Sequence, residues 1–582
     1  MYVKSWEGVN GLHAVYCPSP ALKAVISLFE TDNRYTDDGH ARGGCIAATQ
    51  ALAWTNLRFR RNAMPPHPEM YAGLDQPDLY FDQICIEKWK YEWKKRLTIS
   101  GAPWTSTWLS HQIYDEYFKY GSICEDYSRI KVPILAIGGW FEMHSNAVFR
   151  MCKNIPSCRG IIGPWSHDWP DVAAPGPNIG FMDECLDFWN YHLKNKPSAK
   201  QETSLKLTWY QLKGEVLPGS TKDPWPGRWC NISSFERIIE RLVFVISDSG
   251  SLLSRRALIE NEPAEFLLTY DSNAGLTCGV RGLGGPDYPG EQKFFNNLLH
   301  TWILNQPLKE AVDIFGFAVF RCEFRLHDDT EAMLAVKLCD VFPDGSTRLI
   351  TSGVLNLTHK DSHENPTQLK QDTYYQCRIQ LDAIGYQVLL NHTICVSVTP
   401  TYWPQVWPSR SNTSITIRNG RLFIPIIKDI SKYEIRKDEP QSIFEQPVMG
   451  LPMDIKTLRE PFYRRYLEYG LSDDTKIIKT IQDEGLTYNI YTDILLGEKT
   501  KCAYSIGGNN DPLSSKSHCK SDLEIELLVS NTEKNQKISI ETDQMMTCDA
   551  EHFYLDESIN VTLNQTEFFK KSYRSKIKRY FC

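Results

Sequence analysis

No run of about eighteen apolar residues occurs in this 582-residue chain, so no membrane-spanning helix is expected. No basic segment followed by an apolar run opens it, so no signal peptide is read and the cytoplasm is the expected compartment. A broad basic stripe is lacking and the formal net charge is only −7, which argues against a nucleic-acid surface. The one basic run, Lys570 to Arg579, alternates with apolar residues and reads as a terminal strand. The 17 cysteines include no C-x-x-C pair, so neither a thiolate zinc site nor a redox dithiol is indicated. Internal repeats and low-complexity segments are also lacking. The N-x-S/T sequons at Asn231, Asn356, Asn391, Asn412, Asn560 and Asn564 are read as incidental without a signal.

What the chain does have is length and apolar content. It is too long for one core, and two to four domains are expected. Hydrophobic residues make up 42% and aromatics 12%, enough for large buried cores. The most informative stretch is 132–167. VPILAIGGWFE reads as a strand buried on both faces, HSNAVFRMCKNIP as a short amphipathic helix, and SCRGIIGPWSH as a second buried strand. Each strand ends in a titratable residue, Glu142 and His167. Open α/β sheets place their chemistry at the carboxyl ends of parallel strands. An acid and then a histidine, each after a strand, is the back half of a Ser–Asp/Glu–His order. His144, at the start of the helix, is a rival to His167.

The front half falls at Ser5, in Val3-Lys4-Ser5-Trp6-Glu7-Gly8, ahead of a helical stretch. A nucleophile elbow usually reads G-x-S-x-G, because the strand-to-helix turn leaves no room for side chains two residues away. Here those positions hold Val3 and Glu7. In this reading Ser5 attacks, His167 transfers protons and Glu142 orients the imidazole. The Trp6 backbone N–H supplies an oxyanion donor.

Several motifs now point to a family. They are Lys4-Ser5-Trp6-Glu7-Gly8-Val9-Asn10-Gly11-Leu12, Pro20-Ala21-Leu22-Lys23-Ala24-Val25, Thr31-Asp32-Asn33-Arg34-Tyr35-Thr36-Asp37-Asp38 and Gly43-Gly44. Gly138-Gly139-Trp140 and Gly163-Pro164-Trp165-Ser166-His167 follow. Cys339-Asp340-Val341-Phe342-Pro343-Asp344-Gly345, Gly353-Val354-Leu355-Asn356-Leu357-Thr358-His359 and Tyr402-Trp403-Pro404 continue the series. Taken together, the chain resembles the cocaine-esterase/X-Pro dipeptidyl-peptidase family of serine hydrolases. That resemblance implies an α/β-hydrolase domain with a helical insertion and a C-terminal jelly-roll β-sandwich. It also implies hydrolysis of esters or amides through an acyl-enzyme, without a cofactor or metal.

Three departures from the family pattern stand out. The elbow lacks both flanking glycines, the acid is Glu142 where the family usually has aspartate, and only four residues precede Ser5. The family places several strands and an oxyanion-binding tyrosine before its nucleophile. The chain therefore reads as an N-terminally truncated member with an incomplete parallel sheet, and weak turnover is expected from it.

The expected division is 1–30 and 131–202 for the α/β-hydrolase part and 31–130 for a helical insertion. A jelly-roll β domain with its own core is expected over 203–582. Helices are expected over Ile86–Leu97, Trp108–Lys119 and Met182–Lys194, and short strands spaced by turns from about 205 onward. Residues 426–471 read as polar and irregular.

Trp140, Trp165 and Tyr402-Trp403 are candidates for an acyl pocket, with a core role the commoner reading for aromatics. His359, His363 and Glu364 look like a metal cluster but follow a strand, so they read as a polar loop. Gly279, Gly282, Gly284 and Gly285 lack the Lys-Ser/Thr and helix of a phosphate cradle. The expected partner is a small ester or amide, or a peptide, with X-Pro dipeptidyl substrates included; homo-oligomers are compatible with this class. The competing reading is a degenerate homologue that serves as a binding or interaction module.

Overall fold

The structure is a computed structural model, and it describes residues 1–582 except 18, 68–82, 203–204, 221, 237, 255–263, 280–287, 294–299, 436–443, 449, 451–453, 509–510, 528–534 and 582. Strands β1 (Tyr2–Lys4), β2 (Val25–Leu28), β3 (Ile134–Gly139), β4 (Cys158–Gly163) and β5 (Leu207–Lys213) lie side by side in chain order. Every neighbouring pair among them is parallel. The helices α1 (Trp6–Tyr16), α2 (Ser145–Asn154) and α3 (Phe181–Lys194) belong to the crossovers.

The period-two alternation of a strand divides these residues between two cores. Val25, Ile134, Ala136 and Ile162 pack with Leu12 and Val15 of α1 and Val148 and Met151 of α2. Ile26, Leu135, Ile137 and Ile161 face the other way and pack with Phe181 and Phe188 of α3. Helices on both faces explain why β2 and β3 carry apolar residues at almost every position and are buried throughout. The sequence expectation for residues 132–167 agrees with this to within four residues at each boundary.

An antiparallel all-β part follows in the same unit. Met333–Val341 pairs with Thr347–Asn356 on one side and Thr393–Thr399 on the other. Val319–Leu326 pairs with Tyr375–Gln380 and with the long strand Ile415–Ile427. This part does not begin at 203 with a core of its own. β5 belongs to the parallel sheet, and Leu212 and Lys213 also pair in parallel with Tyr386 and Gln387 of the strand Ile384–Val388. Trp209 of β5 stacks on Phe315, and both lie in one core with Val25 and Ile134.

The chain divides elsewhere than at 30/31, 130/131 and 202/203. Residues 1–47, 111–448 and 581–582 form one unit, and residues 48–110 and 449–580 form a second. The second unit is an eight-stranded antiparallel sheet with the helices Gln50–Asn62 and Gln83–Ile99. The strands from Lys476–Asn489 to Thr566–Lys578 pair in chain order as a meander. Phe59, Trp89, Trp93 and Leu97 bury against Leu523, Ile525, Ile540, Ile559 and Val561. Cys502 and Cys519 occupy paired positions on adjacent strands and form a disulfide, which the scattered cysteine pattern did not reveal.

Within 426–471, the strands Ile455–Arg459 and Phe462–Tyr469 both pair with Lys476–Asn489. The helix expected over Trp108–Lys119 is two short ones, Thr105–Ser110 and Glu116–Tyr120, because the Asp115 side chain caps the second by accepting from the Tyr117 N–H. The basic run is a strand, Thr566–Lys578, as expected.

Candidate active site

Ser5 occupies the turn between β1 and α1. Its φ of 60° and ψ of −124° lie in a region that L-residues rarely adopt, a strain found at functional turns. The turn is held at both ends: the Ser5 N–H donates to the Leu28 carbonyl at 2.9 Å, and the Val9 N–H donates to the Ser5 carbonyl at 3.1 Å. The room that flanking glycines would give comes from later positions. A Cβ on Gly8 would fall 2.9 Å from the Glu30 Cβ, and one on Gly11 would fall 2.6 Å from the Val3 Cγ2. The Glu7 side chain, at the second flanking position, lies outside the described residues. Trp6 is the first residue of α1, so its N–H is a first-turn donor at a helix N-terminus, a setting that favours negative charge. Its ring lies under the Arg34 guanidinium at 4.2 Å.

His167 follows β4 and faces this turn. Its Nε2 stands 3.0 Å from the Ser5 Oγ, within hydrogen-bond reach. Its Nδ1 stands 3.7 Å from the Glu142 Oε2, looser than a hydrogen bond. Ser5 and Glu142 thus address opposite sides of one imidazole, and adjacent parallel strands bring acid and histidine together. The Phe29 ring, 5.4 Å from that of His167, forms one wall. Lys4 pairs with Asp168 at 3.5 Å on the other side.

His144 is nearer to the acid than His167 is. Its Nδ1 is 3.1 Å from the Glu142 Oε2, and its backbone N–H donates to the same oxygen at 2.8 Å. Burial alone would raise the Glu142 pKa, but the neighbouring His144 and then His167 outweigh it and pull it down to about 2. Burial opposes charge on His144, yet the Glu142 carboxylate outweighs it and raises that pKa. For His167 burial wins over Glu142, and the pKa is lowered. Glu30, just after β2, is fully buried; burial raises its pKa to about 8, so it is largely neutral at pH 7. The sequence offers His144 as a rival but gives no sign of Glu30's role, although Glu30 also follows a buried strand.

Trp140 and Trp165 are buried in the two cores. The Trp140 indole N–H donates to the Tyr210 carbonyl at 2.6 Å and the Trp165 N–H to the Pro177 carbonyl at 3.0 Å. Gly139 and Gly163 leave the space that Trp165 fills. Both side chains therefore do packing work, although Trp140 also borders a small internal cavity with Trp225, Arg348 and Tyr386. Trp403 is buried as well. His359 and His363 face each other, Nδ1 to Nδ1, at 3.2 Å. Most of the Gly279–Gly285 stretch lies outside the described residues. Among the described residues no helix is long and apolar enough to cross a membrane. The one group of three metal-ligating side chains found among them is Glu142, His144 and His167.

Comparison with known proteins gives two family matches. The model of the X-Pro dipeptidyl-peptidase S15 family matches residues 1–169, and that of the X-Pro dipeptidyl-peptidase C-terminal non-catalytic domain matches 303–436. The chain belongs to the cocaine-esterase/X-Pro dipeptidyl-peptidase family. Within this family it is 21% identical to the cocaine esterase of Rhodococcus sp. (strain MB1 Bresler) over 449 residues, 72% of this chain and 76% of that one. Three solved structures share the fold. An aminopeptidase from a marine-sediment Thaumarchaeota archaeon has a TM-score of 0.53 at 15% identity, covering 73% of this chain and 76% of that one. A CocE/NonD family hydrolase from Staphylococcus aureus has a TM-score of 0.52 at 14% identity, covering 73% and 70%. An α-amino acid ester hydrolase has a TM-score of 0.52 at 15% identity, covering 73% and 76%. The family points to serine-hydrolase activity of the esterase or X-Pro dipeptidyl-peptidase kind.

Proposed function

We propose that this chain hydrolyses ester or amide substrates through an acyl-enzyme on Ser5, without a cofactor. The observation that carries the reading is the 3.0 Å approach of His167 Nε2 to the Ser5 Oγ, with Ser5 held at positive φ on a strand-to-helix turn. His167 takes the hydroxyl proton as the Ser5 Oγ attacks the carbonyl carbon, then gives it to the leaving oxygen or nitrogen. Water repeats the sequence and releases the acid. Glu142 holds the imidazole tautomer with the proton on Nδ1. The Trp6 N–H supports the oxyanion, a contribution of about 10²–10³ in rate for one such donor.

The relatives divide the substrate question between esters and peptides. The family description, X-Pro dipeptidyl-peptidase, favours including X-Pro dipeptidyl amides. The test is covalent labelling of the chain by a fluorophosphonate, with Ser5→Ala as control, followed by p-nitrophenyl esters and X-Pro amides compared at equal concentration. Stoichiometric labelling that Ser5→Ala abolishes supports the reading. No labelling, or labelling that survives Ser5→Ala, overturns it.

A further inference from the structure

Acyl transfer needs one histidine beside Glu142, and the site has two. The Glu142 Oε2 is 3.1 Å from the His144 Nδ1 and 3.7 Å from the His167 Nδ1, and the three groups each place a ligand atom within 4.8 Å of the others. A tetrahedral zinc ion, with bonds of about 2.0–2.2 Å, needs ligand atoms about 3.4 Å apart. The site is also buried, with side-chain exposures of 0% for Glu142 and 9% for His144. Yet Glu142 Oε1, His144 Nδ1 and His167 Nδ1 have no hydrogen-bond partner. Buried polar atoms are rarely left so, because each loses its water without a replacement partner. Access remains, because the His167 side chain keeps 15% of its exposure.

We propose that Glu142, His144 and His167 bind a divalent transition-metal ion, zinc in the first place, and that the bound ion switches off Ser5. Two imidazoles and a carboxylate, with no thiolate, leave a fourth position for water, a zinc-type donor set. The inhibitory half rests on the acyl-enzyme reading above. The base-competent tautomer of His167 carries its proton on Nδ1 and offers the Nε2 lone pair to the Ser5 hydroxyl. A metal takes the Nδ1 lone pair, so the ring proton moves to Nε2 through solvent. Nε2 then donates and cannot accept the serine proton. Metal and serine require opposite tautomers of one ring, so they exclude each other without any change of fold.

The experiment uses the full chain, stripped with EDTA and titrated with Co²⁺, whose visible d–d absorption reports a four-coordinate site. Wild type and Ser5→Ala should both bind one equivalent, because Ser5 is not a ligand. His144→Gln should bind about 10–100-fold more weakly. His144→Asn is the second variant, and thermal melts of both establish that they fold. His363→Ala, from the other facing histidine pair, should bind as wild type does. Zinc should slow fluorophosphonate labelling of wild type at least ten-fold, reversed by EDTA, and His144→Gln should need about ten-fold more zinc. No saturable Co²⁺ band, or one lost in His363→Ala and kept in folded His144 variants, overturns the site. Co²⁺ binding with zinc-insensitive labelling overturns the switch. A chain that binds Co²⁺ but never labels refutes the acyl-enzyme reading and leaves the metal site supported.

Discussion

Val3 and Gly11 share one space: a Cβ at position 11 would stand 2.6 Å from the Val3 Cγ2. The elbow thus tolerates a branched residue two places before Ser5 because the helix after it has no side chain there. Gly11→Ala should destabilise the chain by about 1–3 kcal/mol through overpacking. Adding Val3→Ala, which removes the methyl, should recover part of that loss. Denaturant unfolding of the two singles and the double would show it, and additive losses would contradict the shared space.

Glu142→Gln keeps the shape and removes the charge. Labelling of Ser5 should slow about 10²–10⁴-fold, because the amide no longer holds the imidazole tautomer or stabilises the imidazolium. The single-turnover rate constant is the readout. A change smaller than three-fold would mean that Glu142 serves His144 alone.

Glu557 gives the second unit a pH dependence. It is 1% exposed, accepts from the Gln544 side-chain amide at 2.6 Å, and burial raises its pKa to about 7 from an ordinary 4.5. The folded state therefore holds a proton that the unfolded chain releases. Stability is fullest below the unfolded value and falls as pH rises from about 4.5 through 7, by about 3 kcal/mol. Hydrogen exchange in His552–Leu563 should be more protected at pH 5 than at pH 8 after correction for intrinsic rates, and Glu557→Gln should flatten the difference.

Arg60 and Glu498 form a buried pair at 2.6 Å, with Arg61 adding a second contact at 3.1 Å. Arg60→Met should cost about 3 kcal/mol by leaving Glu498 poorly compensated. Arg60→Met with Glu498→Leu should regain most of it, since no buried charge remains. Thermal unfolding of the three variants checks this.

The parts of the fold legible in the sequence were those written locally. Continuous apolar runs set β3 and β4, and the titratable residue after each set Glu142 and His167. The approach of Ser5 to His167 was also legible, because parallel strands in chain order bring their carboxyl ends together. His144 was undervalued because a sequence shows that a histidine begins a helix, not that its ring turns back to an acid two residues earlier. The division at 47/48 and 448/449 was hidden for another reason. Trp89 and Trp93 show an apolar helix face, but nothing within reach along the chain shows that its partners are Leu523 and Ile540.

That separation has a consequence for synthesis. The Gln83–Ile99 helix is made more than four hundred residues before Thr566–Lys578, the strand whose Phe568 stacks on Trp93 at 4.5 Å. At about 5–20 residues per second, the ribosome takes roughly 20–90 s to supply that cover. Through that interval the early helices present an indole-rich surface with no sheet to receive it. The second unit is therefore the slow and aggregation-exposed step in this chain's life, and its yield in cells should follow holdase chaperone supply more closely than that of the parallel sheet.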